Sequence, residues 1–335
     1  MRLLVSALEP SANLHLKNIL DTFSKSVEIC GIFDSSLGSP LYPSSDFGVM
    51  GLFSVIPKIL KAKRAISKMV ELVESCDRVL LIDSPAFNLP LAKAIKKRFP
   101  NNKIIYYILP KIWAWNSKRK RDIEQYIDVQ ISIFPFEKKY YPNSLYFGNP
   151  LYREDIPFPN ERRYIAFLPG SRKSEILHLM PLFREIAKRR EEPKILVVPP
   201  NIDISIYGDI SEFEIWRDTQ EALVNSKFAY ICSGTATLEA SIIGTPFVLV
   251  YRTNPIEYWI GKRVVQIPYI GLANIIFYEM NIGKEFHREY IQNFDIGKLV
   301  DEVERVDSKE FLENSRILRE LLKGDIREVG KVIEG

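Results

Sequence analysis

The chain reads as an α/β protein made of two Rossmann-like halves, each a doubly wound parallel sheet. Three observations predict this. Short aliphatic runs alternate with amphipathic segments through the first 150 residues. A stretch rich in Pro, Asn and charge interrupts the alternation near 148–160, and the same pattern then restarts. Two such halves joined by a linker leave a cleft between them. The expected division is 1–152, 160–306, and a helical tail over 307–335 that can return to the first half.

In the first half, 3–6, 28–33, 79–82, 104–108, 129–134 and 145–147 are aliphatic enough to be strands. Helical patterns fill several gaps, at 13–25, 57–74, 89–99 and 118–126. In the second half, strands are expected at 164–168, 195–198, 213–216, 228–231 and 247–251. Helices are expected at 174–190, 219–225 and 235–243, and the charged tail reads as helix over 297–306 and from 308 onward.

Composition narrows the function classes. With 335 residues, 46% of them apolar, the chain suits about two domains with packed cores. The 46 basic and 42 acidic residues nearly balance, which argues against a nucleic-acid binder. Cys30, Cys76 and Cys232 are widely spaced and odd in number, as expected of reduced thiols in a cytosolic protein. His15, His178 and His287 have no zinc-like spacing, so no dedicated transition-metal site is expected; nor is a cofactor expected. The N-terminal apolar run ends at Glu9-Pro10, too soon for a signal peptide, and no stretch reaches about 20 apolar residues, so any membrane contact is peripheral.

Four segments can carry chemistry. The run Val79-Leu80-Leu81-Ile82 ends in Asp83, at the strand end where open α/β sheets bind ligands. Ser84-Pro85 then breaks the strand, and Asn88 can cap the next helix. Asp83 reads equally as a carboxylate that satisfies loop N–H groups. In Cys232-Ser233-Gly234-Thr235 a strand gives way to a helix whose first N–H groups and dipole suit a diphosphate. Glu239, four residues after Thr235, shares that helix face and could accept from a ribose diol. A tight turn with a helix-favouring carboxylate is the plainer alternative.

The junction Leu168-Pro169-Gly170-Ser171-Arg172 places a planar guanidinium just past a strand, where it can clamp phosphate or simply face solvent. Neither junction carries the dinucleotide or P-loop glycine pattern. Between Gly48 and Arg64, the apolar residues Met50, Leu52, Phe53 and Ile56 precede Lys58, Lys61, Lys63 and Arg64. That segment suits an anionic headgroup layer, or an ordinary helix with a basic solvent face. Trp113-Ala114-Trp115 can wall a sugar or acyl site, or pack as core.

Taken in order, Asp83-Ser84-Pro85-Ala86-Phe87-Asn88, Pro110-Lys111-Ile112-Trp113-Ala114-Trp115, Phe134-Pro135-Phe136-Glu137, Leu168-Pro169-Gly170-Ser171-Arg172, Ser233-Gly234-Thr235-Ala236-Thr237-Leu238-Glu239, Leu272-Ala273-Asn274 and Glu289-Tyr290-Ile291-Gln292 resemble the lipid-A-disaccharide synthase family, collinear to about residue 292. Three stretches depart from its pattern. Gly-Glu-x-Ser-Gly-Asp-Leu-His-Gly becomes Leu8-Glu9-Pro10-Ser11-Ala12-Asn13-Leu14-His15-Leu16. The second acid of the Asp-x-Pro-Asp-Phe-Asn motif becomes Ala86, and Gly-His-Pro becomes Gly148-Asn149-Pro150.

The resemblance implies a GT-B fold and transfer of 2,3-diacylglucosamine from its UDP ester to 2,3-diacylglucosamine 1-phosphate (lipid X). The products would be the β-1,6-linked disaccharide 1-phosphate and UDP, formed with inversion and without metal. It implies Asp83 as base, with Ser171, Arg172, Ser233, Gly234, Thr235, Glu239, Asn274 and Gln292 on the donor. Glu9, Ser11 and His15 would face the acceptor, and 50–64 would reach an anionic membrane. The expected location is cytoplasmic, on the inner face of a bacterial inner membrane. Another GT-B transferase with a lipid acceptor, or a non-catalytic UDP-binding scaffold, would share many of these residues.

Overall fold

The central aliphatic runs become strands buried on both faces, the edge strands over 145–146 and 214–216 stay partly exposed, and the amphipathic segments between strands form crossovers that cover the sheets. A computed structural model describes residues 1–47, 55–156, 158, 162–200, 202–254, 258–259, 267–292 and 295–335. By internal contacts the chain divides into two units, Met1–Pro150 with Lys323–Gly335, and Leu151–Leu322.

The N-terminal unit runs β1 (Arg2–Ala7), α1 (Pro10–Leu20), β2 (Glu28–Phe33), β3 (Tyr42–Pro43), α2 (Val55–Leu72), β4 (Arg78–Ile82), α3 (Pro85–Arg98), β5 (Lys103–Tyr107), α4 (Arg119–Tyr126), β6 (Val129–Ser132) and β7 (Leu145–Tyr146). Its seven strands are parallel, in the order β3-β2-β1-β4-β5-β6-β7. Leu4 pairs with Cys30 on one side and Val79 on the other. Strand alternation then splits the core. Leu4, Val79, Leu81 and Tyr106 pack with Met69 of α2 and Leu91 and Ile95 of α3. Leu3, Val5, Leu80 and Ile82 pack with Leu16 and Ile19 of α1.

The C-terminal unit runs β8 (Tyr164–Leu168), α5 (Lys173–Ala187), β9 (Lys194–Val197), β10 (Glu214–Trp216), α6 (Thr219–Val224), β11 (Ser226–Ile231), α7 (Thr235–Ile243), β12 (Phe247–Tyr251), α8 (Leu272–Glu279), β13 (Glu289–Ile291), α9 (Ile296–Arg305) and α10 (Ser308–Leu322). Its parallel sheet has the order β10-β9-β8-β11-β12-β13. Phe167, Phe183 and Tyr230 form its aromatic centre, with Phe167 and Tyr230 stacked at 5.1 Å between ring centroids.

Several expectations need correction. The strand expected over 129–134 stops at Ser132, because the Glu137 carboxylate takes the N–H groups of Ile133 and Phe134. The first helix starts at Pro10, where a fixed φ and a missing N–H suit its first turn, and ends at Leu20. Strands β3 and β13 span two and three residues, too short to show a period. Helix α8 was not expected, since five consecutive residues, Ala273–Phe277, are buried and no polar stripe marks a period.

The segment 307–335 is shared between the units. Helix α10 stays with the second, while α11 (Ile326–Glu334) lies on the first. Val329 and Ile333 enter its core, and Arg78 donates to the Ile333 carbonyl at 2.6 Å. The chain re-enters through a backbone crossing at which Gly148, with φ +94°, meets Gly324. A Cβ on Gly148 would lie 2.5 Å from the Gly324 Cα. We expect Gly148→Ala and Gly324→Ala each to destabilise the fold by about 1–3 kcal/mol through overpacking, read as a lower urea midpoint; unchanged midpoints would show that the crossing can open without cost.

Candidate functional site

In each sheet the strand order reverses once, between β1 and β4 and between β8 and β11, so adjacent crossovers depart to opposite faces. The carboxyl ends of those four strands bear most of the expected site residues.

At the end of β4, Asp83 and Ser84 both take left-handed backbone, with φ 48° and 45°. Two successive non-glycine residues in that region are strained, and a dense set of hydrogen bonds holds them. The Asp83 N–H donates to the Tyr107 carbonyl at 3.0 Å. Its carbonyl accepts from the Tyr106 hydroxyl at 2.6 Å and from the Asn88 amide at 2.7 Å. Asn88, fully buried, also donates to the Ile82 carbonyl and accepts from the Ser6 hydroxyl of β1 at 2.6 Å. Asn88 therefore does not cap α3. The helix has already begun at Pro85, and the amide turns back to pin the strand end. Among the described residues no group hydrogen-bonds the Asp83 carboxylate, which is half-buried; Ala86 is exposed.

The neighbouring end of β1 carries Glu9, Ser11 and His15. Glu9 precedes α1, half-buried, and Ser11 is exposed. His15 lies one turn on, edge-on to Tyr107 at 6.1 Å. Burial lowers its pKa to about 4, and among the described residues its Nδ1 has no partner. Asn13 is structural: its amide donates to the Ala7 and Glu9 carbonyls, and its oxygen accepts from Asp34 N–H at 2.7 Å. A carboxylate there could not make the first two bonds.

The Trp pair divides. Trp113 is core, its indole donating to Glu137 at 3.0 Å, while Trp115 is 45% exposed with the Arg119 guanidinium over its face. Of the basic segment, Met50, Leu52 and Phe53 lie outside the described residues, as do the side chains of Ile56 and Lys58. Lys61 is already paired with Asp46 at 3.0 Å and sits over the Phe47 ring, so it braces its own unit rather than standing free for phosphate.

In the C-terminal unit the two expected junctions converge. A cavity of about 270 Å³ is lined by Gly170, Ser171, Arg172 and Glu175 on one side and by Ser233, Gly234, Thr235 and Glu239 on the other. Gly234 takes φ 121° ahead of α7, which opens the helix start, and a Cβ there would meet nothing within 4 Å. Thr237 returns its hydroxyl to the Gly234 carbonyl at 2.7 Å. Burial, with the Asp218 carboxylate adding, raises the pKa of Glu239, and no described residue hydrogen-bonds its side chain.

Glu175 was not foreseen. Its carboxylate is almost buried, accepts from Arg172 N–H at 3.2 Å and pairs with the Arg172 guanidinium at 3.1 Å. Gly170 is required beside it, because a Cβ would lie 2.4 Å from Glu175 Oε2. The available signal was half a capping box, an acid three residues after the residue that starts α5. The Arg172 side chain remains 72% exposed.

Asn274 is corrected from a donor contact to a brace. It is 1% exposed, donates to the His287 carbonyl and Glu289, and accepts from the N–H groups of Phe286 and His287. Gln292, with φ 67°, ends β13; its oxygen accepts from Thr253 N–H, while its Nε2 is buried without a partner among the described residues. It does not line the cavity described above.

In fold, two such doubly wound units match solved glycosyltransferases. The glycotransferase of kitacinnamycin aligns with TM-score 0.63 at 13% identity, over 99% of this chain and 98% of that one. MurG of Acinetobacter baumannii aligns with TM-score 0.59 at 14% identity, over 99% of each. The fold is GT-B. A family model for lipid-A-disaccharide synthetase matches residues 3–321. The chain is 42% identical to the lipid-A-disaccharide synthase of Campylobacter jejuni strain RM1221 over 98% of both. It is 40% identical to that of Helicobacter pylori strain J99 over 98% of this chain and 97% of the relative. It belongs to the lipid-A-disaccharide synthase family and is a glycosyltransferase of lipid A biosynthesis.

Glu137 offers a test of the scaffold under the first site. Burial pushes its carboxyl up to about 7, against the pull of the Trp113, Ile133 and Phe134 N–H groups. The folded chain then holds that proton more tightly than the unfolded one, so the stabilisation is full at low pH and is lost as pH rises through about 7. Between about pH 5 and pH 8 the wild type should lose on the order of 3 kcal/mol relative to Glu137→Gln in urea unfolding; a difference that is flat with pH would refute the assignment.

Proposed function

We propose that this transferase moves 2,3-diacylglucosamine from UDP-2,3-diacylglucosamine to 2,3-diacylglucosamine 1-phosphate. The products are the β-1,6 disaccharide 1-phosphate and UDP. The reading is carried by the cavity in which Gly170–Arg172 and Ser233–Glu239 converge, within a chain of this family. Asp83 takes the proton of the acceptor hydroxyl as that oxygen attacks the anomeric carbon. The bond to the diphosphate breaks with inversion, and the electron pair leaves with UDP. The first N–H groups of α7, with Ser233, Gly234 and Thr235, meet the growing diphosphate charge.

Ser171 and Arg172 add hydrogen bonds to the same phosphates, and the Glu239 carboxylate accepts from the ribose diol. Gln292 brings a spare amide donor to the sugar. Glu9, Ser11 and neutral His15 orient the acceptor. The transfer uses neither metal nor cofactor.

Both substrates are acylated, so the N-terminal unit works at an anionic membrane surface, peripherally and from the cytoplasmic side. What supports this is the basic segment together with Ile59 and Leu60, which are 49% and 52% exposed on α2 beside exposed Lys63 and Arg64.

In a coupled assay with both acylated substrates in detergent micelles, Asp83→Asn should abolish transfer while UDP binding, read by calorimetry, persists. Near-normal turnover would remove Asp83 from the role of base. Arg172→Ala should weaken UDP by about tenfold or more, the worth of one charged hydrogen bond; an unchanged affinity would sink the clamp.

A further inference from the structure

Cys30 and Cys76 lie far apart in sequence, yet their sulfurs are 3.3 Å apart. Cys30 is on β2 beside Leu4 of β1, and Cys76 lies just before β4, which flanks β1 on its other side. Both thiols therefore meet over one strand, on the face covered by α2. They stand away from the carboxyl ends that carry the transferase chemistry. Cys76 is almost buried and sends its thiol toward the Leu72 carbonyl at 3.2 Å, while Cys30 is half-buried and so open to small reagents. Cys232 is buried in the other unit.

We propose that Cys30 and Cys76 are a redox-active dithiol that closes to an intramolecular disulfide on meeting a low-molecular-weight disulfide such as oxidised glutathione. Sulfurs at 3.3 Å need to approach by only about 1.2 Å to reach a disulfide bond length. The surroundings prepare the pair. The Cys30 thiol, in contact with the Cys76 sulfur, lowers the Cys76 pKa, with Arg2 and the Ser75 hydroxyl adding against desolvation and Asp77; the same contact and burial raise Cys30, with Glu28 adding. Cys76 is therefore the first of the pair to lose its proton.

The reaction is a thiol–disulfide exchange. The Cys76 thiolate takes the Cys30 proton across the sulfur contact as the more open Cys30 sulfur attacks one sulfur of the small disulfide. That bond breaks and releases one thiolate, which leaves a mixed disulfide on Cys30. Cys76 then gives its proton to solvent and attacks the Cys30 sulfur, releasing the second small thiol. Two cysteines are oxidised and one disulfide is reduced to two thiols. The product ties β2 to the start of β4 across β1 and closes a loop containing β3 and α2.

The test uses the full chain in buffers of rising oxidised-to-reduced glutathione ratio, quenched in acid and alkylated under denaturing conditions. Peptide mass spectrometry should find residues 30 and 76 joined, lighter by two hydrogens, with Cys232 alkylated throughout. Cys76→Ser should stop at the glutathione adduct on Cys30. Complete alkylation of all three cysteines in wild type at the most oxidising ratio would overturn the proposal, as would links formed only between chains. The wild-type result decides the matter even if a serine variant fails to fold.

Discussion

Parallel strands buried on both faces set the terms for everything else in this chain. Such a sheet has no solvated face, so polar chemistry is confined to strand ends, and the crossovers needed to keep the strands parallel cover the rest. Where strand order reverses, two adjacent crossovers leave in opposite directions and the strand ends between them stay uncovered. Asp83 and Glu9 flank that opening in one unit, and Arg172 and Gly234 in the other.

The two units furnish this opening by different means. In the first, buried amides hold the strand ends. Asn13 ties the end of β1 to Asp34 after β2, and Asn88 ties the end of β4 to Ser6 of β1. Asn88, with its hydrogen-bonding capacity turned inward, holds the strained backbone of Asp83, whose carboxylate no described residue engages. In the second unit the opening is made by small residues and helix starts. Gly234 clears the approach to α7, and Glu175 steadies the turn that presents Arg172. The family's acid at position 13 is an amide here, and the hydrogen bonds explain how the chain uses it. For Ala86, exposed, no described residue supplies a compensating group.

Much of this was legible because burial writes itself into composition. Aliphatic runs marked eleven of the strands to within two residues at each end. The glycine junctions marked the cavity, since only a few residue types permit a backbone to turn that tightly at a strand end. Short edge strands and the all-apolar α8 were not legible, because neither displays a period. The site residues divided on the same ground. Asn274 looks like a donor ligand in a motif and Asn88 like a helix cap, yet each amide is spent on groups, mostly backbone, that only the folded chain brings near. Lys61 looks like a free cation until Asp46, fifteen residues earlier, is placed beside it.

By itself the sequence determined the fold class, the duplication of the sheet, the family, and which strand ends carry acids, glycines and arginine. These are properties of local pattern, in which each residue's character is enough. Tertiary structure decided which of those groups are spent on the fold and which are left for chemistry. It buried Trp113 but exposed Trp115, sent the last helix back to the first unit through two glycines, and brought Cys30 to Cys76 across β1. Those outcomes depend on partners distant in sequence, and hydrogen-bond satisfaction and close packing are settled only when the partners meet.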